Sequence, residues 1–359
     1  MVTPPGPPHT DWRMDAVTVI ARAPLRISFV GGGTDFPHWF EEHGGAVLST
    51  TIDHYAEVTL HPRSDERIQI RSIDFGHLVA YEVAAAPSYD GVMDLPKAAL
   101  ARVGVDAGLD VDIRSDAPPG SGLGGSSALV TAVVAGLAAL DERAMTADEL
   151  ARTSYVIERA DLGVAGGWQD QYATAFGGLN LLEFSDEGVR VTSAHIVPDV
   201  LDRLRAGLLL CYTGAVRTDV GLIEAQVRLH AEGREETIQG MKQLQALAYD
   251  MRDALEAGDI ESIGPMLQHA YESKKRMNPH IAEGTAIERL FAAARDAGAT
   301  GGKICGAGGG GYLLVACPPE RQPAVRSALE SLGGRITPFA FEPAGVRAHV
   351  SARPWEPAV

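Results

Sequence analysis

The densest run of residues able to do chemistry is "PPGSGLGGSSA", Pro118 to Ala128. Within it the stretch Pro119, Gly120, Ser121, Gly122, Leu123, Gly124, Gly125, Ser126 and Ser127 combines glycines that let amide N–H groups converge with three hydroxyl side chains. The helix that follows adds the positive end of its dipole, so the loop can cradle an anion, a phosphate above all. The bland alternative is a glycine turn that serves only strand-to-helix geometry. The embedded "GSGLGG" also matches G-x-G-x-x-G, which admits a dinucleotide-dependent oxidoreductase. Against that reading, the preceding strand alternates instead of being buried on both faces, it lies far from the N-terminus, and a second helix follows. No "GK[ST]" closes the loop, so it is not a Walker A motif.

The elements around this loop are legible from periodicity. "LDVDIRSD" alternates apolar and charged residues and reads as a strand exposed on one face. "ALVTAVVAGLAAL" is small and apolar nearly all round, as expected of an interior helix, and Thr146 with Glu149 forms a capping box that opens another helix running to about Asp161. Before the loop, Ala16–Arg22, Leu25–Val30, Gly44–Leu60 and residues 67–73 are strand candidates, and Leu95–Val103 is a short helix ending at Gly104. After it, "WQDQYATAFGGLNLLEF" reads as a return to strand, with a turn near Ser185–Gly188 and another strand beyond. Pro198–Arg205 marks the expected domain boundary, "AGLLLCYTG" opens the second half as a strand, residues 219–296 are helical, and the end is mixed helix and strand. The expectation is an α+β chain with a tail at 1–16 and domains at 17–200 and 201–359.

Composition limits what the loop can serve. The chain has 359 residues and a formal net charge of −16, a field that repels nucleic acid and anionic membranes. Its longest apolar stretch, Ala128 to Leu140, is too short to span a bilayer. The tail carries Pro4, Pro5, Pro7 and Pro8 and no apolar run, unlike a signal peptide. Cys211, Cys305 and Cys317 are an odd number without metal-ligand spacing, which suits a reducing cytoplasm. His38, His43 and His54 have no metal-site spacing, and neither G-x-S-x-G nor a paired His supports a Ser nucleophile.

Three motifs in order then point one way: "APLRISFVGGGTD" (Ala23 to Asp35), "PPGSGLGGSSA" (Pro118 to Ala128) and "KICGAGGGGYLL" (Lys303 to Leu314). Together they resemble the galactokinase, homoserine kinase, mevalonate kinase and phosphomevalonate kinase superfamily, the GHMP kinases. Within it, "GGGTD", "GGWQDQ" and the glycine-rich third motif look most like the kinases of D-glycero-D-manno-heptose 7-phosphate. The resemblance implies a two-domain fold with ATP in the cleft between domains, Mg²⁺ as the metal, and phosphoryl transfer to the anomeric hydroxyl of a sugar phosphate. A fucose-type sugar, or another seven-carbon sugar phosphate, is the alternative acceptor. Homo-oligomerisation is left open.

Residue by residue, the resemblance implies that Arg26 stabilises charge at the reacting phosphoryl group and that Asp35, nine positions on, accepts hydrogen bonds from sugar hydroxyls. Gly32, Gly33 and Thr34 complete that sugar-side turn. Gly32 and Gly33 stand where galactokinase-type sequences carry Glu-His, which argues against galactose. Glu158 and Asp170, twelve residues apart, fall at the interval of a Mg²⁺-binding Glu and a catalytic Asp, with Ser127 as the other metal ligand. Gly167 precedes the Asp, and Gly308 and Gly309 sit in the third motif, as backbone that can approach substrate. A phosphorylated acceptor also needs a cation at its far end, and Arg217, Lys274 and Lys275 are the candidates. Without the family, Arg26, Asp35 and Glu158 read as surface charges, and the lysine pair as a solvated helix face. Lys303 is either a structural ion-pair partner or a residue facing phosphate.

Overall fold

A computed structural model of the protein describes residues 17–214, 221–281 and 286–351. Two strand candidates flanking Pro24 form one long strand, β1 (Thr18–Val30), because a register shift between Pro24 and Leu25 accommodates the residue that cannot donate to the ladder. The helix α1 (Pro37–His43) leads to β2 (Gly45–Pro62), whose 18 residues pair antiparallel with β1. The hairpin β3 (Arg67–Ser72) and β4 (His77–Glu82) follows, then α2 (Asp94–Val103), which ends at Gly104 in the left-handed conformation with φ 85°. β4 has no counterpart in the sequence reading.

The strand β5 (Leu109–Ser115) inserts between β2 and β3, antiparallel to the first and parallel to the second. Alternation suggests a polar face open to solvent throughout, but it is open at Arg114 and not at the two aspartates. Asp110 is buried and accepts two bonds from Arg63 at 3.0 and 3.1 Å, and Asp112 accepts from Arg71 at 2.8 Å. The interior helix α3 (Gly125–Leu140) packs against β1 and β2, and α4 (Ala147–Val156) begins at the Thr146–Glu149 capping box. A π-helical turn, Ile157–Asp161, extends α4.

The segment after Trp168 departs from expectation. It is a helix, α5 (Gln169–Phe176), and strand resumes only at β6 (Leu179–Ser185) and β7 (Gly188–Ser193). The apolar alternation of "QYATAF" is too sparse to distinguish a strand from a short helix, and here packing against α3 and α4 decides. Pro198–Arg205 lies in another helix, α6 (Pro198–Ala206).

A second, four-stranded sheet then forms from β8 (Leu208–Tyr212), β9 (Gly301–Ile304), β10 (Tyr312–Ala316) and β11 (Arg335–Thr337) in the order β11-β8-β10-β9. Between and after these strands run α7 (Leu222–Ala231), α8 (Glu235–Glu256), α9 (Ile263–Met277), α10 (Ala286–Asp296) and α11 (Gln322–Ser331). The pair α8 and α9 joins the halves: α8 packs on β1 and β2, while α9 packs on β9 and β10. The last strand, β12 (Arg347–Ser351), returns to the first sheet and pairs antiparallel with β1. Residues near the C-terminus thus complete the N-terminal sheet.

Candidate active site

A cleft of about 560 Å³ runs along the loop between β5 and α3 and is bounded on its other side by α7, α9 and β9. The loop backbone takes its shape from Gly120, Gly122 and Gly124, with φ of 71°, 81° and 74°, a region that side-chain-bearing residues rarely adopt. Pro119, Gly120, Ser121, Gly122, Gly124, Gly125, Ser126 and Ser127 line the cleft; Leu123 is buried behind it, and its carbonyl accepts from the Arg26 amide at 2.9 Å. The first turn of the sixteen-residue helix α3 therefore opens onto the cleft with its unpaired N–H groups. The dinucleotide-dependent oxidoreductase is set aside, because the strand feeding this loop lies in a largely antiparallel sheet.

The third glycine motif braces the loop. A Cβ on Gly306 would lie 2.5 Å from the Gly122 Cα, and one on Gly311 would lie 2.1 Å from the Ser121 carbonyl oxygen. The Tyr312 amide donates to that same carbonyl at 3.0 Å. Gly308 and Gly309 do not line the cleft; a Cβ on Gly308 would meet Ile281 at 2.8 Å.

Directly beside the loop, Arg26 of β1 and Asp170 of α5 meet. The Arg26 Nε donates to Asp170 Oδ1 at 2.7 Å, and its Nη1 donates to the Gly122 carbonyl, so one guanidinium ties the carboxylate to the loop. Asp170 stands in the first turn of α5, where the helix dipole favours an anion. Arg26 is nearly buried, with a side chain 5% exposed, while Asp170 at 24% remains open to the cleft.

Asp35 is fully buried and accepts from the Gly33 amide at 2.9 Å, the Gln169 amide at 3.1 Å and the Gln169 side chain at 3.1 Å. Burial pushes its carboxyl above the ordinary range against these bonds, and the nearby Asp170 charge adds to the rise. Gly167 makes this packing possible, since a Cβ there would fall 2.0 Å from Asp35 Oδ2. Gly32, Gly33 and Gly167 line the cleft; Thr34 lies behind it, its hydroxyl donating to the Gly31 carbonyl at 2.8 Å.

The third cluster sits at the start of α3. The Ser127 hydroxyl donates to Glu158 Oε2 at 2.7 Å, and the Gln171 amide donates to the same oxygen. Glu158 belongs to the π-helical turn, a local widening that recurs at functional sites, and burial raises its carboxyl above the ordinary range. The pair offers two hard oxygen donors facing the loop, a donor set that fits Mg²⁺, which takes one or two protein ligands and the rest from water and phosphate. Among the described residues no group of three or more His, Cys, Asp or Glu is placed to hold a metal.

The three proposed phosphate-end cations fare differently. Arg217 lies outside the described residues. Lys274 is buried, lines the cleft and donates to the Gly306 carbonyl. Lys275 does not line it: its ammonium pairs with Glu288 at 3.0 Å and lies 5.3 Å from the Tyr271 ring centre, the solvated-face outcome. The sequence reading passed over Arg159, whose guanidinium lies under Gly166, and over Ser28, Gln169 and Gln226, all of which line the cleft. It also missed an apolar end formed by Phe75, Met93, Leu95, Pro96 and Ile113. The one local signal for that end is "YDGVMD", a turn in which Met93 adopts φ 57°.

Comparison with known proteins agrees with this geometry. Residues 90–178 match the GHMP kinases N terminal domain, and residues 251–334 match the GHMP kinases C terminal. A D-glycero-alpha-D-manno-heptose 7-phosphate kinase from Campylobacter jejuni is 33% identical over 339 residues, covering 92% of this chain and 98% of that protein. An L-fucokinase/L-fucose-1-P guanylyltransferase from Bacteroides fragilis is 29% identical over 361 residues, and the chain spans 37% of its length. The crystal structure of a D-glycero-D-manno-heptose 1-phosphate kinase from Bacteroides thetaiotaomicron, 29% identical, matches with a TM-score of 0.78 over 95% of this chain and 100% of that one. The chain belongs to the GHMP kinases, a family of ATP-dependent kinases of small molecules.

Proposed function

We propose that the enzyme transfers the γ-phosphoryl group of ATP to the anomeric hydroxyl of a heptose 7-phosphate, giving the 1,7-bisphosphate, with Mg²⁺ as the metal. The observation that carries the reaction type is the Arg26–Asp170 pair, 2.7 Å apart, tied by the same guanidinium to the glycine loop. Asp170 accepts the proton of the attacking hydroxyl, and Arg26 both orients that carboxylate and offsets charge at the phosphoryl group. Loop amides and the α3 N-terminus hold the nucleotide phosphates, and the apolar end at Phe75, Met93 and Leu95 suits the adenine. Ser127 and Glu158 would hold Mg²⁺, which when bound screens the phosphate charge. Asp35 and the backbone of Gly32, Gly33 and Gly167 face the sugar, with Lys274 and Arg217 as the cations for its existing phosphate. Residues 17–200 serve as the nucleotide-binding part, completed by β12, and residues beyond supply the wall that faces the acceptor.

The heptose assignment is supported by the name of the Campylobacter jejuni relative and by the absence of a bulky polar pair at Gly32 and Gly33. A neutral fucose-type acceptor is the second reading, supported by the Bacteroides fragilis relative. A cytoplasmic location suits an enzyme that consumes ATP and carries Cys211, Cys305 and Cys317 as buried free thiols. An ATP-consumption screen over hexoses, heptoses and their terminal phosphates tests the substrate. The highest kcat/KM is expected for a heptose 7-phosphate; a preference for the unphosphorylated sugar would overturn that assignment.

A further inference from the structure

Lys303 of β9 is a buried cation that the scheme above does not use. It is 4% exposed and lines the cleft, and its ammonium donates to the Ser28 carbonyl. Among the described residues it has no carboxylate within ion-pair distance. A charge taken out of water ordinarily finds an opposite charge or loses its proton. The groups that face it are mostly of its own sign: Lys274 from α9 and Arg26 from β1 oppose its charge, and only the Cys305 thiol just after β9 favours it. With burial as the main cause, the ammonium is pushed down to about 7.

Ser28 supplies a second, independent sign of a missing ligand. The residue is 4% exposed and lines the cleft, and its hydroxyl is buried without a hydrogen-bond partner. Ser28 stands two positions after Arg26 on β1, so both side chains project from the same face of the strand. Arg26 in turn bonds both Asp170 and the glycine loop. The unsatisfied hydroxyl shares a strand face with the guanidinium that joins loop and carboxylate, and the Lys303 ammonium stands between that guanidinium and Lys274.

We propose that Lys303 is a catalytic residue whose ammonium, assisted by the Ser28 hydroxyl, holds an equatorial oxygen of the phosphoryl group in transit between ATP and the acceptor. The inference rests on the kinase reading of the cleft and not on the identity of the sugar. In the step, the bond from acceptor oxygen to phosphorus forms and the bond from phosphorus to the bridging oxygen of ADP breaks. The acceptor proton passes to Asp170, and Lys303 keeps its own protons while donating a hydrogen bond. The phosphoryl charge supplies the counter-charge that the protein withholds, so the interaction is strongest in the transition state.

The test is Lys303→Met, which keeps the unbranched stem and removes the charge, with Lys303→Arg and Ser28→Ala beside it. For Lys303→Met, kcat is expected to fall about 10²–10³-fold, with KM for ATP and acceptor within a few-fold of the original. Affinity for ADP with aluminium fluoride and acceptor should fall alongside kcat, while affinity for ADP alone is retained and certifies the fold. Lys303→Arg, whose charge does not titrate, should recover part of kcat and move the alkaline limb of the kcat profile upward. A folded Lys303→Met enzyme with unchanged kcat and unchanged aluminium fluoride affinity overturns the proposal. So does a variant that loses only KM for a phosphorylated acceptor, which would place the acceptor's own phosphate on Lys303. If the unmodified enzyme turns over some other sugar, the heptose assignment fails, and Lys303 is measured with that sugar.

Discussion

Arg26 Nε and Asp170 Oδ1 lie 2.7 Å apart although 144 positions separate them in the chain, and the same guanidinium reaches the Gly122 carbonyl. A carboxylate held this way is fixed in direction beside the glycine loop and open to the cleft. Asp170→Asn is expected to lower kcat by about 10²–10⁴-fold while leaving ATP affinity nearly unchanged. Steady-state kinetics with a nucleotide-binding assay check this. Unchanged turnover would remove Asp170 from the chemistry.

Ser127 and Glu158 form the hydroxyl–carboxylate pair, 2.7 Å apart, that faces the phosphate loop. Glu158→Gln keeps the shape but weakens the donor set for a hard cation. The Mg²⁺ concentration giving half-maximal rate should rise by at least about tenfold. A titration of activity against Mg²⁺ at saturating ATP reads it, and an unaltered curve would detach Glu158 from the metal.

Gly167 is required by the position of Asp35. A Cβ 2.0 Å from Asp35 Oδ2 must displace a buried carboxylate held by three hydrogen bonds. Gly167→Ala is expected to cost about 1–3 kcal/mol of stability. The KM for the sugar should rise more than that for ATP. Chemical denaturation and two-substrate kinetics measure both effects, and an equal rise in the two KM values would contradict the sugar-side role of Asp35.

The contact between α1 and α7 carries a pH dependence. The His38 and His230 rings have centroids 5.0 Å apart, His43 lies 6.4 Å from His230, and the His38 Nε2 is buried without a partner. Burial, with His230 beside it, lowers His38 from 6.5 to about 4. A histidine depressed in the folded state is protonated more readily when unfolded, so its neutral form supports the fold above pH 6.5. That support is lost progressively as pH falls towards about 4. Melting temperature should therefore drop across this window, and His38→Gln should flatten the drop. The contact matters to the site because Gln226 of α7 donates to the Gly33 carbonyl at 3.2 Å. An identical slope in the variant would assign the acid sensitivity elsewhere.

Local patterns were sufficient for most elements. The capping box at Thr146 and Glu149, the stop at Gly104 and the interior helix after the glycine loop are properties of short stretches, and the structure contains each of them. Where the reading departed, long-range packing had decided. Alternation in "LDVDIRSD" suggested a solvated face, but Arg63 and Arg71 from neighbouring segments cover Asp110 and Asp112. The segment after Trp168 is helical because α3 and α4 receive it.

The sequence alone determined the three glycine loops and the charged residues spaced around them, because loop chemistry depends on adjacent residues: only glycine gives converging amides and a left-handed backbone at alternate positions. Only the tertiary structure decided which charges share the cleft. Lys274 and Lys275 are adjacent in sequence, yet α9 buries the first against the Gly306 carbonyl and turns the second to Glu288 on α10. Neighbours on a helix point about 100° apart, so proximity along the chain carries no information about which wall a side chain reaches. Lys303, Ser28 and Arg26 come together for the same reason: β9 and β1 belong to different sheets, and only the packing that joins those sheets sets this cation against the Ser28 carbonyl and near Arg26.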